Sequence, residues 1–282
     1  MPELPEVETI ARGLNQRIAG DVIESVWLGE KPQPLKSPAK EIVAVLERSR
    51  IARVRRVGKH IVFDLERPNR NGRRSSSARG QWVVHLGMTG RLLIASPELE
   101  TEKHTHAVLK LASGRELRFV DPRRFGRLAV VRMKSEKFTG FSAPGDEPLD
   151  SRIERFLALF RHRKTPIKSA LLNQKLLSGV GNIYADESLF RAAIRPRRRA
   201  ASLTRAEFRK LHAAVQEVLR EAIELGGSSV SDYVDAEGRK GFFQLQHRVY
   251  GRESEPCLVC GAAIKRVIIA GRSSHYCPHC QK

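Results

Sequence analysis

Apolar residues at the start of the chain follow the period of a helix. They recur at the spacing of one helical face, at Val7, Ile10, Ala11, Leu14 and Ile18. Gly20 follows at the place where a helix C-terminal cap belongs. The pattern predicts a first helix that buries one face in a core and anchors the residues before it.

The period then changes to that of strands. Residues 22–28 predict a strand and residues 39–48 a short helix. Further apolar stretches, separated by turn residues, predict strands at 51–57, 60–65, 81–86, 91–95, 106–111, 116–120 and 127–133. So many short strands predict a two-layer β-sandwich or a barrel. The segment from Arg67 to Gly80 is rich in arginine and serine and is predicted to be a mobile loop.

Beyond residue 150 the apolar positions are spaced as in helices. The pattern predicts helices at 151–162, 166–178, 185–193 and 202–225. Gly179 and Gly181 precede Asn182, and this predicts either a simple glycine turn or a tight turn whose N–H groups hold a phosphate. The polar residues 228–243 are typical of a binding loop. The chain is therefore predicted to have an α+β fold with two domains.

The charge of the chain predicts its class of partner. The formal net charge is +20 over 282 residues, and both halves are basic. A charge of this sign and size favours a polyanion. Nucleic acid is preferred to an anionic membrane surface, because no basic amphipathic anchor helix stands out. No apolar run approaches the roughly 18 residues of a membrane span, and no charged-then-apolar leader precedes the first helix. A cytoplasmic protein is expected.

The cysteines predict a metal site. All four lie near the end of the chain, as Cys257-Leu-Val-Cys260 and Cys277-Pro-His-Cys280, and this is the spacing of a tetrahedral zinc site. Four thiolates leave no open position on the metal, so we predict one structural Zn²⁺ that supports folding. Two disulfides are the alternative, although nothing indicates secretion. The residues between the pairs predict a hairpin whose tip carries Arg272, placed to reach a phosphate.

The first residues combine an amine with nearby acids, in Met1-Pro2-Glu3-Leu4-Pro5-Glu6. Methionine ahead of proline is normally removed, which leaves Pro2 as a free secondary amine. An α-amino group has a reference pKa of roughly 8, and helix-end potential and burial both lower it. The amine is then a nucleophile for a carbonyl carbon, and its Schiff base is an iminium that keeps its charge. The alternative is an inert terminus, since chain ends are usually frayed.

Five motifs occur along the chain in a fixed order. They are Pro2-Glu-Leu-Pro-Glu-Val-Glu-Thr9, His85-Leu-Gly-Met88, Asp121-Pro-Arg-Arg-Phe-Gly126, Gly179-Val-Gly-Asn-Ile-Tyr-Ala-Asp-Glu187 and the four-cysteine tail. Together they resemble bacterial formamidopyrimidine-DNA glycosylase, a family of base-excision enzymes for 8-oxoguanine and ring-opened purines. The resemblance spans nearly the whole chain. The sister group of endonuclease VIII-like enzymes prefers oxidised pyrimidines, but the first residues here look like the purine branch.

The resemblance implies a bifunctional DNA glycosylase and abasic-site lyase. Pro2 would attack C1′ of the damaged nucleoside, and Glu3 would act as general acid and base. Glu6 would orient the terminus and relay protons, or else merely cap the helix. Lys59 would complete the set by binding phosphate beside the lesion. Loss of the 3′ and then the 5′ phosphate, a β,δ-elimination, would leave a one-nucleotide gap.

The family pattern also implies a set of DNA contacts. Further phosphate contacts would come from His85, Asn182, Tyr250 and Arg272. Lys168 and Glu187 would shape the site around the helix turns. Without the resemblance, Lys59 would be predicted as a surface charge and His85 as a satisfied strand histidine.

A base that undergoes chemistry must leave the stack, and the gap must be filled. The resemblance implies that Met88 fills the void, Phe125 wedges between base steps and Arg123 bonds the orphaned cytosine. Residues 228–243 would close over the everted base. Without the resemblance, Met88 and Phe125 would be predicted as core residues.

The chain is accordingly predicted to divide into four parts. They are an N-terminal catalytic β-sandwich domain with flanking helices (1–134), a linker (135–150), a helix–two-turn–helix domain with a lesion-capping loop (151–243) and a zinc-finger hairpin (244–282). The implied partner is double-stranded DNA with oxidised purines, bound by a monomer in the cytoplasm at the nucleoid, and no membrane is involved. Two other functions remain open: an endonuclease VIII-like activity on pyrimidines, and a zinc-finger DNA-binding protein without catalysis.

Overall fold

The structure is a computed structural model that describes residues 2–68, 74–132, 145–229 and 233–282. The chain splits into two compact units. The first contains Met1–Ala143 together with Ser228–Gly241, and the second contains Pro144–Gly227 together with Phe242–Lys282. The division predicted from the sequence groups residues 228–243 with the helices, whereas residues 228–241 pack with the N-terminal unit. Most of the predicted linker, 135–150, lies outside the described residues.

The first unit is a β-sandwich with flanking helices, as predicted. Its helices are α1 (Leu4–Ile18) and α2 (Ala39–Leu46). Its strands are β1 (Ile23–Leu28), β2 (Arg50–Val57), β3 (His60–Pro68), β4 (Arg74–His85), β5 (Arg91–Ala95), β6 (Thr105–Leu111), β7 (Glu116–Val120) and β8 (Arg127–Arg132). All of these strands pair antiparallel, in four-stranded sheets of order β1-β6-β7-β5 and β2-β3-β4-β8.

One apolar core joins α1 and both sheets. Leu14 contributes from α1, Phe63 and Trp82 from β3 and β4, and Phe119 from β7. The rings of Phe63 and Trp82 lie 4.7 Å apart between centroids. Each fully buried side chain of this size stabilises the fold by about 1.5–3 kcal/mol.

Helix α1 forms as its pattern predicts. Pro5 lies in the first turn, where a missing N–H leaves no bond unmade. The predicted apolar face, from Val7 to Ile18, is buried. Gly20 has a φ of +94°, a left-handed conformation that favours glycine just beyond a helix end.

The arginine- and serine-rich segment is not the loop that was predicted for 67–80. Strand β4 begins at Arg74, where Arg79 pairs with Glu66 and Gly80 with Leu65. The prediction is therefore wrong for residues 67–68, which end β3, and for 74–80, while 69–73 lie outside the described residues. Backbone groups make the ladder of an antiparallel pair, so a polar composition alone does not end it.

The second unit is helical and ends in a hairpin. Its helices are α3 (Ile153–Phe160), α4 (Ile167–Leu171), α5 (Asn182–Arg191) and α6 (Arg205–Glu224), and strands β9 (Lys265–Ile269) and β10 (Arg272–Tyr276) pair antiparallel. A capping box starts α6, because Thr204 Oγ1 accepts from Glu207 N at 3.2 Å and Thr204 N donates to Glu207 Oε2 at 2.8 Å. Aromatic rings fill the helical core, with Phe156 and Phe160 4.7 Å apart.

Several helix boundaries differ from the prediction, and the end of α4 differs most. Helix α4 ends at Leu171 rather than at 178, because Asn173 forms a turn whose Oδ1 accepts from Lys175 N at 3.0 Å. Helix α5 begins at Asn182, ahead of the predicted start at 185. Within the described parts of the chain, every helix is too short or too polar to span a membrane.

Candidate active site and nucleic-acid interface

The start of α1 brings two buried carboxylates beside Pro2. Glu3 is the N-cap of the helix, and Pro2, Glu3 and Glu6 are all buried. Glu6 Oε2 accepts from Glu3 N at 2.7 Å. The N-terminal end of a helix carries a partial positive charge, which stabilises both carboxylates there. The structure thus places the predicted amine and its two nearest acids at one helix end.

Glu6 also holds a distant segment of the same unit. Its Oε1 accepts from Ser228 N at 2.7 Å, and Tyr233 Oη donates to the Glu6 carbonyl at 3.5 Å. Ala236 O accepts from Ile94 N at 3.0 Å. Burial and the nearby charge of Glu6 raise the pKa of Tyr233 above its usual range, so its hydroxyl stays protonated. The described ends of the predicted capping loop are therefore tied to α1 and β5.

The turn between β2 and β3 carries Lys59. Gly58 has a φ of +58° and precedes it in the turn. Arg56 Nη1 donates to Gly58 O at 3.2 Å, and Arg56 Nε donates to Glu8 Oε2 at 2.7 Å. Arg56 therefore connects α1, which begins beside Pro2, to the turn that carries the predicted phosphate ligand.

His85 ends β4 in register with His60, and the two rings lie 5.0 Å apart. His85 Nδ1 accepts from Gly87 N at 3.0 Å. Burial, together with the charges of His60, Arg127 and Lys59, lowers the pKa of His85 to about 3. The ring is neutral at physiological pH, and its hydrogen is on Nε2 because Nδ1 is an acceptor. It can offer that N–H to a phosphate.

Two neighbouring turns carry the three predicted inserting residues. Met88 is 41% exposed and Phe125 is 52% exposed. The Arg123 guanidinium lies over the Phe125 ring, 4.8 Å from its centroid. Gly87 has a φ of +63°, and a Cβ there would lie 2.5 Å from the Phe125 carbonyl carbon. Only glycine permits so close an approach of the two turns.

In the second unit, Lys168 is fully buried rather than exposed toward a phosphate. Its Nζ donates to Ser273 O at 2.6 Å and lies 2.7 Å from Asp186 Oδ1. Asp186 Oδ2 accepts from His275 N at 2.9 Å. The ion pair ties α4 and α5 to β10. The first residue of β10 is Arg272, which is exposed.

Glu187 holds the stretch of chain that leads to the cysteines. Its carboxylate accepts from the backbone N–H groups of Arg248, Val249 and Tyr250 at 2.9, 3.0 and 2.8 Å. Burial raises the pKa of Glu187, although the three hydrogen bonds act in the opposite direction. The ring of Tyr250 packs edge-on to His275, with centroids 5.1 Å apart.

The glycine turn before α5 does not leave all its N–H groups free. Gly179 N donates to Gln174 Oε1 at 2.9 Å, and Gln174 Nε2 donates to Val180 O at 2.7 Å. The predicted phosphate nest therefore lacks the Gly179 donor. Asn182, at the first position of α5, is partly exposed.

The four cysteines cluster as predicted. The sulfur atoms of Cys257, Cys260, Cys277 and Cys280 all lie within 4.8 Å of one another, with 3.9 Å from Cys257 to Cys280 and 3.5 Å from Cys260 to Cys277. Tetrahedral zinc–thiolate geometry requires sulfur atoms roughly 3.8 Å apart, and a disulfide requires about 2.05 Å. The donor set fits one structural zinc ion and does not fit two disulfides.

The sequence of the whole chain is similar to known proteins. Family models match for the formamidopyrimidine-DNA glycosylase N-terminal domain at residues 1–128, its H2TH domain at 144–234, and a zinc finger found in FPG and IleRS at 254–282. A formamidopyrimidine-DNA glycosylase of Solibacter usitatus is 47% identical over 287 residues, and the match covers 100% of both chains. The chain belongs to the formamidopyrimidine-DNA glycosylase family.

Other relatives of this family agree. A formamidopyrimidine-DNA glycosylase of Desulforamulus reducens is 43% identical, with 100% of this chain and 99% of the relative covered. The complex of a Lactococcus lactis FPG mutant with DNA containing Fapy-dG has a TM-score of 0.87 at 32% identity, with 100% of each chain covered. The MutM (FPG) protein of Thermus thermophilus has a TM-score of 0.82 at 42% identity, with 99% of this chain and 98% of that chain covered.

Sequence reasoning gave no role to several residues that organise these turns. Asp121 lies inside a recognised motif but is fully buried, and its carboxylate accepts from Thr89 Oγ1 at 2.6 Å and from Gly126 N at 2.7 Å. Arg56 and Asp186 likewise act through partners far away in the sequence. Asp121 and Asp186 both lie inside recognised motifs, and this signal could have pointed to them, whereas Arg56 lies in none.

Proposed function

We propose that the chain is a DNA glycosylase that removes oxidised purines from duplex DNA and then cleaves the strand at the abasic site. The observation that carries the proposal is Pro2 at the start of a helix, next to the buried carboxylates of Glu3 and Glu6, in a chain of this family. Members of the family have been solved with DNA that contains Fapy-dG or an abasic site.

The first step uses the Pro2 nitrogen, which becomes an amine once Met1 is removed. The nitrogen attacks C1′ as the bond from C1′ to the damaged base breaks, and the proton lost by the amine is matched by one gained by the departing base. Glu3 then gives a proton to the ring oxygen O4′, which opens the sugar and forms the iminium. The helix end and burial favour the unprotonated amine, whereas the nearby carboxylates act in the opposite direction.

The second step uses the iminium as an electron sink. Removal of a C2′ proton expels the 3′ phosphate, and a further elimination expels the 5′ phosphate. Water then hydrolyses the iminium and regenerates Pro2. The Glu6 carboxylate holds the helix start through Glu3 N, which supports a role in orienting Pro2 and relaying protons.

The DNA contacts are proposed in two groups. Lys59, the Nε2–H of His85, Asn182, Tyr250 and Arg272 bind phosphates. Met88, Arg123 and Phe125 enter the gap left by the everted base. The exposure of Met88 and Phe125 supports this, because apolar side chains of that size are normally buried.

Lys168 and Glu187 are proposed to shape the second unit rather than to touch DNA. Lys168 reaches the backbone of Ser273 next to Arg272, and Glu187 holds the backbone of Tyr250. Both therefore position a proposed phosphate ligand. Zinc bound by the four cysteines fixes the hairpin, since a closed four-thiolate site stabilises folding without chemistry.

We propose that the protein acts as a monomer in the cytoplasm, at the nucleoid, on double-stranded DNA. The net charge of +20 supports a polyanionic partner. Affinity for undamaged DNA is expected to fall steeply as salt rises, because phosphate binding releases counterions.

Borohydride trapping tests the proposal. The protein is incubated with an 8-oxoguanine:cytosine duplex while borohydride reduces any iminium to a stable amine. Wild-type protein whose loss of Met1 has been verified by mass is expected to give a covalent adduct. Pro2→Glu, which retains Met1 and lacks the proline nitrogen, gives none. Pro5→Ala, a matched proline change within the same helix, retains the adduct.

Two results would overturn the proposal. Tight DNA binding with no adduct would indicate a binding protein without catalysis. Faster cleavage of a thymine-glycol duplex than of the 8-oxoguanine duplex would indicate an activity of the endonuclease VIII type.

A further inference from the structure

The three proposed inserting side chains do not share one element. Met88 lies on the turn that follows β4, whereas Arg123 and Phe125 lie on the turn between β7 and β8. A gap in a duplex accepts them together only if the two turns keep a fixed separation. The structure shows what fixes it.

Asp121 is the first residue of the turn between β7 and β8 and is 0% exposed. Its Oδ1 accepts from Thr89 Oγ1 at 2.6 Å, which reaches the turn of Met88. On its own turn, Oδ1 accepts from Arg123 N at 3.2 Å and Oδ2 accepts from Gly126 N at 2.7 Å. One carboxylate therefore binds the residue after Met88, the backbone of Arg123 and the residue after Phe125.

The backbone of Asp121 is itself fixed. Its N donates to His104 O at 2.9 Å, and its carbonyl accepts from Arg124 N at 3.3 Å and lies 3.0 Å from His106 Nε2. Hydrogen bonds to an ionised acceptor are shorter and about twice as strong as neutral ones. Glycine contacts close the remaining space, because a Cβ on Gly126 would lie 2.4 Å from the Phe119 ring.

We propose that Asp121 and Thr89 are positioning residues that hold Met88, Arg123 and Phe125 in fixed positions relative to one another. They thereby set which base is preferred opposite the lesion. The proposal rests on the proposed function. Neither residue needs to touch DNA. If the Thr89 bond is lost, the turn of Met88 moves independently, so Arg123 is no longer held in register with the orphaned base.

The test compares two reactions of each variant. The first is single-turnover excision of 8-oxoguanine opposite cytosine and opposite adenine, which needs the three inserted side chains. The second is borohydride trapping on a single-stranded oligonucleotide with a preformed abasic site, which needs Pro2 but no insertion. Thr89→Val removes the hydroxyl and keeps the shape, Thr89→Ser restores the hydroxyl, and Asp121→Asn removes the charge.

Thr89→Val and Asp121→Asn are expected to slow excision opposite cytosine about tenfold or more and to reduce the preference for cytosine over adenine by a similar factor. Trapping on the single strand stays within twofold of wild type, and Thr89→Ser recovers most of the excision rate. Thr105→Val is the matched control, because Thr105 Oγ1 also makes one hydrogen bond in this unit, to Glu102 O at 2.8 Å. It is expected to leave both reactions unchanged.

Three outcomes would overturn the inference: an unchanged cytosine preference in Thr89→Val, an equal loss of both reactions, or the same loss in Thr105→Val. Failure of the proposed function is distinct, because wild-type protein would then give no adduct with either DNA.

Discussion

A buried glutamate in each unit attaches an irregular segment to a helix, but the residues that surround the two segments differ. Glu6 accepts from Glu3 N and Ser228 N and so attaches residues 228–241 to α1. Glu187 accepts three N–H groups and so attaches residues 248–250 to α5. An irregular segment has no neighbouring strand whose carbonyl groups accept hydrogen bonds from its backbone N–H groups. In both places a carboxylate accepts these hydrogen bonds instead.

The surroundings of the two segments differ. In the first unit, Tyr233 and Ala236 join the large apolar core of the sandwich. In the second, Val249 belongs to a small cluster that includes Cys257 and Cys277. The first attachment is supported by a core and the second by a metal site. The comparison therefore predicts that the two units respond differently to the same treatment.

Zinc removal is expected to have the largest effect. Structural zinc sites of this class contribute on the order of 10 kcal/mol to folding, so a chelator, or Cys277→Ser, unfolds the hairpin and abolishes specific DNA binding. The two tryptophans of the chain, Trp27 and Trp82, both lie in the first unit. Tryptophan emission therefore stays unchanged while binding, measured by fluorescence anisotropy of labelled DNA, is lost. If tryptophan emission and DNA binding were lost together, the first unit would not be independent of the zinc site.

Truncation of the two glutamates should rank next. Glu187→Ala leaves three backbone N–H donors, one buried and two partly buried, without their acceptor, and we expect about 3 kcal/mol of local destabilisation. Glu6→Ala is expected to cost about 1–2 kcal/mol, since the core still holds its segment. Hydrogen–deuterium exchange at 248–250 and at 228 measures each effect. Glu221→Ala, which removes an exposed partner of Arg191, serves as the control.

Acid should destabilise the first unit through His85. Its pKa is lowered from 6.5 to about 3 in the folded chain, so the unfolded chain binds the extra proton between these values. The contribution of His85 to the free energy of unfolding is fully present above pH 6.5. It falls by about 1.4 kcal/mol per pH unit as the pH drops toward 3. Between about pH 6.5 and 5 the loss is about 2 kcal/mol. Tryptophan-monitored urea unfolding is expected to show this slope in wild type and a shallower slope in His85→Asn.

The smallest expected changes in stability come from replacing the two arginines that pair with Glu8. Arg56 has a side chain that is 6% exposed, and that of Arg12 is 61% exposed. Arg56→Met leaves a partly buried carboxylate without its cation and is expected to cost about 1–2 kcal/mol. Arg12→Met is expected to stay within about 0.5 kcal/mol, as exposed helix pairs do. Equal losses in urea unfolding would show that burial is not what distinguishes the pairs.

Features that depend on local pattern could be predicted from the sequence. The face of α1, most strands and the zinc site each rest on spacing within a short stretch, and the structure confirms them. The early end of α4 was missed because Asn173 uses its side chain to make a turn, which the apolar period does not reveal.

Features that depend on distant partners could not be predicted. The burial of Lys168 is one such feature, because it depends on Asp186 and on the carbonyl of Ser273. Asp121 gained its role only when β4 and β7 brought Thr89 to it. Composition was misleading at residues 74–80, where a polar sequence occurs on a paired strand.

The hydrogen bonds that Glu187 accepts from residues 248–250 come from backbone N–H groups and not from side chains. This affects which substitutions the segment can accept during evolution. Arg248 can change identity while its main chain stays in place, since any amino acid except proline supplies the required N–H. Saturation mutagenesis should therefore find position 187 intolerant and position 248 permissive, with proline the one consistently excluded substitution. Exposed side chains on this segment can therefore change during evolution while its backbone keeps the same position.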